Sequence, residues 1–428
     1  MPSDNIATQP PPTRAGHVND ESLSLLRLLE PDVIAAPHEL FHALRTFDPV
    51  HWDPYMHAWV ITSYPEVVTV LMNYSADRTP KPDYLDRLGL AVMKPFAEMM
   101  LQQMLFMDPP MHGRLRSLCA AAFTPRRVEE LRSAIQSVAD DLIDKVIANG
   151  QMNLLADFAD PFPGIVTAKL LGVPAEDHKQ LGAWVIDIAE VLGNFQHHPD
   201  RVAAIVQSLE NLKNYIAAKM AEQRLSPNDG LINSLMTAEV DGQRLSDDEV
   251  IASTIVTMIG GRETTTNLIA SGFLSLLRDP ASLEQLRDHP EIAGTAVEEL
   301  LRFESPVQHT ARIAPEDMQL GGKTIKKGSR VVAALAAANR DPVRFSEPDR
   351  LNLTRSDNRH LAFGWAAHYC FGAPLARMEG QIGFNTLLRR LARPVLMDTK
   401  LEWRENAGLR GLARLNISFE PKSAETTA

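Results

Sequence analysis

Along the chain, apolar positions recur mostly at helical spacing, and the exceptions are short. In "HAWVITSY" (57–64) they alternate with polar ones, which predicts a strand, and "PEVVTVLMN" after it reads as a helix opened by Pro65. Residues 74–106 are weakly patterned and carry Met93, Met99, Met100 and Met104, flexible thioethers suited to filling a core or lining an adaptable pocket. "DPPMHGRLRSLCAAAFTPRRVEELRSAIQSVADDLIDKVI" predicts a helix, a Thr-Pro break and a second helix. Helices then dominate to residue 280, between turn signals such as "DPFPG" and "SPNDG". "QLGGKTIKKGSRVVAALAAANRD" predicts a hairpin followed by a strand, and "LARLNISFE" a closing strand. The expectation is a mainly α fold with a minor β subdomain, a single domain over 23–420 between flexible tails at 1–22 and 421–428.

Composition narrows the class. The chain has 428 residues, of which 45% are hydrophobic and 23% charged, enough for a large core. A formal net charge of −11 argues against nucleic acid as a partner. The apolar run "IASTIVTMIGG" is far short of the roughly 20 residues a membrane-spanning helix needs. The Pro-rich start "MPSDNIATQPPPTRAGHVND" lacks the basic and apolar regions of a signal peptide. Together with only two cysteines, this predicts a cytoplasmic protein without membrane attachment.

One of those cysteines lies in "FGWAAHYCFGAPLARMEGQIGFNTLLRRL", a loop running into a helix. Gly372 and Pro374 sit where the helix begins, and Leu375, Met378, Ile382 and Leu387 continue at helical spacing. Cys370 therefore stands at a helix N-terminus, where backbone N–H groups and the macrodipole favour a thiolate. No clustered Cys/His spacing supports zinc, and Cys119 is too remote in sequence for an evident disulfide. A cysteine hydrolase would need a base, and His368 on the same loop is the single nearby candidate. An inert buried cysteine is the plain alternative. A thiolate shielded by Phe363 and Phe371 also meets the needs of an axial haem-iron ligand.

The stretch resembles the haem-ligand loop of the cytochrome P450 family, Phe-Gly-x-Gly-x-His-x-Cys-x-Gly followed by Leu-Ala-Arg. Phe363, Gly364, His368, Cys370, Gly372 and the run Leu375–Arg377 match; Ala366 replaces the second glycine, at a tight turn where glycine relieves steric restraint. Other motifs agree in order. In "MIGGRETTTN", glycines in mid-helix cost about 1 kcal/mol each and so need a reason. Gly260 would let the helix pass close over a flat cofactor, and Glu263–Thr264 is an acid–alcohol pair able to hold water and relay protons. Arg262 turns away from the haem, toward a surface acid. Glu299 and Arg302 share a helix face, and the resemblance makes them a structural pair with Arg350 of "SEPDRL" as third member. It also assigns His112, Arg116, Arg312 and His368 to the haem propionates. The remaining histidines considered, His197, His198, His309 and His360, are read as loop residues. A pocket of Val256, Ile259, Val307, Gln308, Thr310 and Leu409 is inherited by position, with Gln308 and Arg410 free to orient one polar group.

The resemblance implies a P450-fold monooxygenase. Haem b would be bound through Cys370, between a long distal helix and the cysteine-bearing proximal helix. One atom of O2 would enter an apolar small molecule, such as a polyketide, terpenoid or fatty-acyl derivative. Without a flavin, nicotinamide or iron–sulfur motif in the sequence, electrons would travel from NAD(P)H through a ferredoxin or flavodoxin and its reductase. Arg114, Arg126 and Arg127 are candidates for a local basic docking patch, and a monomer is expected. A peroxide-driven peroxygenase and a catalytically silent haem protein share the fold, but neither has use for an acid–alcohol pair.

Overall fold

The computed structural model describes residues 21–87, 89–193 and 201–421. The expected tails fall almost entirely outside the described residues, as do His197 and His198. The framework is helical, and its axis is the helix Asp247–Arg278, the central helix below. Its start is fixed by a capping box: the Ser246 hydroxyl accepts from the Glu249 amide while the Glu249 carboxylate accepts from the Ser246 amide. From Thr265 to Leu276 every position is buried, so this half is an all-round core helix.

Around it pack Pro161–Leu171, His178–Gly193, Val202–Leu225, Ala293–Phe303 and the proximal helix Ala373–Arg390. The contact with the proximal helix is close because glycines allow it. A Cβ on Gly272 would stand 2.7 Å from Phe384 Cζ, and one on Gly380 would meet Val297 at 3.1 Å.

The β component is small. A four-stranded sheet runs Val50–Asp53, Ala58–Ile61, Arg330–Ala333, Thr310–Ile313, with only the middle pair parallel. The strand expected within 57–64 is its second member. A three-stranded sheet joins Leu391–Leu396, Asn416–Pro421 and Gln151–Asn153; the closing strand thus begins at Asn416, after the turns of the 402–415 loop. The weakly patterned 74–106 region resolves into Pro82–Arg87, Lys94–Leu101 and short turns, and its four noted methionines all pack against the main core.

Candidate functional site

The cysteine loop is a compact hairpin. The Cys370 amide donates to the Phe363 carbonyl at 2.7 Å, and the Tyr369 amide to Ala366 at 3.1 Å. Gly364 has φ +71°, and Ala366 itself takes φ +55°. The left-handed conformation that glycine would supply is therefore kept by an alanine, at a cost of about 1 kcal/mol. Long-range contacts hold the hairpin in place. Arg377 lies over the Phe363 ring at 4.6 Å and grips Glu298 with two bonds of 2.7 and 2.8 Å. His360, read from sequence as a loop residue, reaches the same carboxylate at 3.2 Å and is buried.

Cys370 precedes the proximal helix, with Gly372 at the N-cap and Pro374 in the first turn. Burial pushes its thiol up, while the Gly372 and Ala373 amides and the Arg116 and Arg377 charges pull it back toward the thiolate. Phe123 and Phe371, with centroids 4.8 Å apart, shield one side.

Beside the loop lies a group of basic side chains, two imidazoles and two arginines, with few acids among them. The His112 and His368 rings sit 4.2 Å apart. Burial, then Arg312, His112 and Arg78, hold His368 down to about 3. Arg312, set by its register opposite Val331, is lowered to about 10 by burial. Among the described residues Asp108 is the acid that acts on both. Arg312 Nε and His112 Nε2 are buried without a hydrogen-bond partner. Arg116, beside His112 on the same helix, donates from Nη2 to the Tyr369 carbonyl at 2.8 Å and so braces the cysteine loop. Arg78 was missed by sequence reasoning. Among the described residues it bonds only the Ala76 and Leu105 carbonyls; it stacks on Phe106 at 4.5 Å and is lowered to about 9, chiefly by burial and then by Arg312. Nothing in "SADRTP" signals this, because the loop brings it there from outside any motif.

On the central helix, Val256, Gly260 and Thr264 form a stripe that keeps accessible surface, although Ile255, Ile259 and Glu263 beside them are buried. A core helix can show such a stripe only to a void. Gly260 would carry a Cβ with no atom within 4 Å, whereas a Cβ on Gly261 would meet Thr167 Oγ1 at 3.2 Å. The paired glycines thus have different reasons: one faces space, the other a crossing helix. Thr264 Oγ1 donates to the Gly260 carbonyl at 2.5 Å, a back-bond of the kind that bends helices. Glu263 points elsewhere and pairs with Arg404 at 2.7 Å. Arg262 is buried, gripping Asp160 at 2.8 Å and the His178 carbonyl at 2.8 Å.

Several expected placements change. Glu299 and Arg302 are fully buried and doubly bonded at 2.8 Å, but the third member is Arg355, whose Nε reaches Glu299 at 3.1 Å. Arg350 points into solvent, 72% exposed, and contributes only its carbonyl to Arg302. The turn in which the Arg355 amide bonds Asn352 brings the later arginine back to the carboxylate. Of the pocket set, Val307 and Leu409 meet in a β-bridge, and Val256 and Thr310 keep accessible surface. Ile259 is buried, and Gln308 turns its amide to the Ser305 carbonyl at 2.6 Å. Arg410 is not a pocket residue either: it is buried against Glu304 and the Ile34 and Ala35 carbonyls, 3.7 Å over the Trp403 ring. Of the three docking candidates, Arg114 is held by Glu249 at 2.6 Å and Arg127 by Ser234 and the Asp229 carbonyl; Arg126 stays 89% exposed.

The donor set fits a haem. It offers a cysteine sulfur that accepts two amides, orphaned arginine and imidazole nitrogens suited to carboxylates, and open space at Gly260. The cytochrome P450 family profile matches residues 36–415. A polyketide biosynthesis cytochrome P450 of Bacillus subtilis is 36% identical, over 90% of this chain and 96% of its own. A P450 solved in complex with an acyl carrier protein carrying hexadec-9Z-enoic acid superposes with a TM-score of 0.85 at 34% identity, covering 91% of this chain and 99% of that one. A myxobacterial P450 in complex with myristic acid gives 0.83 at 38%, covering 92% and 98%.

Proposed function

The chain belongs to the cytochrome P450 family of haem-thiolate oxidoreductases, and from that premise we propose that it is a monooxygenase acting on an apolar acyl-chain substrate, with Cys370 as the iron ligand. The observation that carries this reading is the sulfur capped by two helix-start amides beside a set of under-compensated cations. Haem b, when bound, supplies the iron at which O2 is activated, the thiolate favouring O–O cleavage. Arg312 and Arg78 would hold its propionates as charged donors, which make strong bonds to carboxylates, and His112 and His368 would add neutral imidazole N–H donors; all four have few partners of their own.

The protein's own groups provide the rest. The stripe at Val256, Gly260 and Thr264 would leave space over the cofactor; the Thr264 hydroxyl handles protons there, and the Glu263 carboxylate supplies them from the adjoining face of the helix. Val307 and Leu409 give an apolar wall that orients the substrate and excludes water. Two relatives are named for complexes with long acyl groups, and one for polyketide biosynthesis, which favours an extended aliphatic chain. Electrons come from NAD(P)H by way of a ferredoxin or flavodoxin and its reductase. Among the described residues no helix is long and apolar enough to cross a membrane. We place the protein in the cytoplasm as a single-domain monomer.

A carbon monoxide difference spectrum of the reduced protein tests the reading. A red-shifted Soret band, absent in Cys370→Ser, is expected; the same band position in both proteins overturns it. Titration with myristic acid then reads the substrate class through a spin-state shift.

A further inference from the structure

The loop 402–413 reaches the central helix through one side chain. Arg404 Nη1 pairs with Glu263 at 2.7 Å, and its Nη2 bonds Asn267 Oδ1, one helical turn further on. Its mount is rigid. The Arg404 amide donates to Gly411 at 2.9 Å, the Ala413 amide to Glu402 at 2.8 Å, and Trp403 bridges Leu412. At the tip, Asn406 Oδ1 accepts from the Gly408 and Leu409 amides, at 3.1 and 2.9 Å. The flank is anchored by buried Arg410 on Glu304. Gly411 is required by this packing, since a Cβ there would run into Asn267 Oδ1 and Arg404 Nη2.

We propose that Arg404 is a positioning residue for proton delivery, holding the Glu263 carboxylate on the loop side of the central helix so that the acid works as half of an ion pair. The inference rests on the reading of Glu263 and Thr264 as proton-handling groups. Adjacent helical residues point about 100° apart, so Glu263 shares its face with Asn267 and not with the Gly260–Thr264 stripe. Both contacts of the Arg404 guanidinium lie on that first face. Without Arg404 the carboxylate is free to swing, and its distance from Thr264 is no longer set by the fold.

The test uses the haem-loaded enzyme with a surrogate ferredoxin, its reductase and NADPH, without added substrate. Each O2 then leaves as hydrogen peroxide or, with further electrons and protons, as water. The readouts are the peroxide fraction and the solvent isotope effect in D2O. Arg404→Ala is expected to cut the water-forming rate on the order of tenfold, as Glu263→Gln does. Arg404→Lys should recover most of the loss. Gly411→Ala, which displaces the guanidinium without changing charge, should fall with Arg404→Ala, and the Arg404→Ala/Glu263→Gln double variant should match the singles. An intact carbon monoxide band establishes the fold in each, and the Lys and Gly411 variants carry the test if Arg404→Ala loses haem. Wild-type partition in the Arg404 variants beside a changed Glu263→Gln overturns the proposal alone, as do additive effects in the double variant. Wild-type values in both Glu263→Gln and Thr264→Ala overturn the proton-handling reading, and this proposal with it.

Discussion

Two buried charged regions of this protein solve the same electrostatic problem in opposite ways. At Glu299 the protein supplies every partner itself. The carboxylate receives Arg302, Arg355, the Asn352 amide and Asn358, and Arg302 spends its remaining donors on the Asn339, Pro348 and Arg350 carbonyls. Beside Cys370 the cations outnumber the acids, and donor nitrogens remain unpaired. A closed network is a structural part; an open one is half of a binding site. The contrast separates folding residues from ligand residues better than charge or burial taken alone.

Breaking the closed network should have the largest effect. Glu299→Ala leaves Arg302 buried and unpaired, which costs about 3–5 kcal/mol. Thermal unfolding of the holoenzyme should fall steeply, with haem loss following unfolding. Opening the second region further should do the reverse: the fold survives and the cofactor is lost. Arg312→Ala removes a desolvated cation from a repulsive group. It should leave the unfolding midpoint nearly unchanged while haem transfer to an acceptor globin speeds up by roughly tenfold, the worth of one hydrogen bond to a charged group.

A third solution lies in the same core. Glu379, on the proximal helix, is 1% exposed with no cation acting on it among the described residues, and burial raises its carboxyl well above the usual range against a weaker pull from the Thr265 hydroxyl. Its folded form therefore binds a proton that the unfolded chain releases above about 4.5. The wild type should thus lose stability relative to Glu379→Gln as pH rises from that point, by up to about 1.4 kcal/mol per pH unit until the folded group itself titrates. Denaturant unfolding of both proteins across pH 4.5–7 checks the sign; parallel curves would place a cation near Glu379.

What could be read from the sequence follows the same division. The cysteine hairpin, the Gly260–Thr264 stripe and the Glu299–Arg302 pair are local constellations, whose members are brought together by a single turn or helix. Arg78, Arg355 and Arg404 were not legible because irregular loops deliver them from elsewhere in the chain. Arg350 and Arg355 are both arginines in one stretch of loop, and only the turn at Asn352 decides which faces inward. Gln308 and Arg410 were placed in a pocket by position, but each has a backbone carbonyl within reach that claims its donors. The minor β component was predicted at 57–64 and 319–341 because short apolar runs bounded by turn residues break the helical period there, although Ala58–Ile61 is buried at every position and does not alternate.

Arg262 has a mechanical consequence. Its guanidinium crosses from the central helix to Asp160 and to the first carbonyl of the helix His178–Gly193, filling the space in front of Gly182. It acts as a bolt. A methyl group at position 182 would occupy the seat of the bolt, so that helix cannot slide along its axis or roll while the bolt is home. Further along the same helix Asp187 and Glu190 are tied to Arg201, so the bolt at its first turns is one of two fastenings.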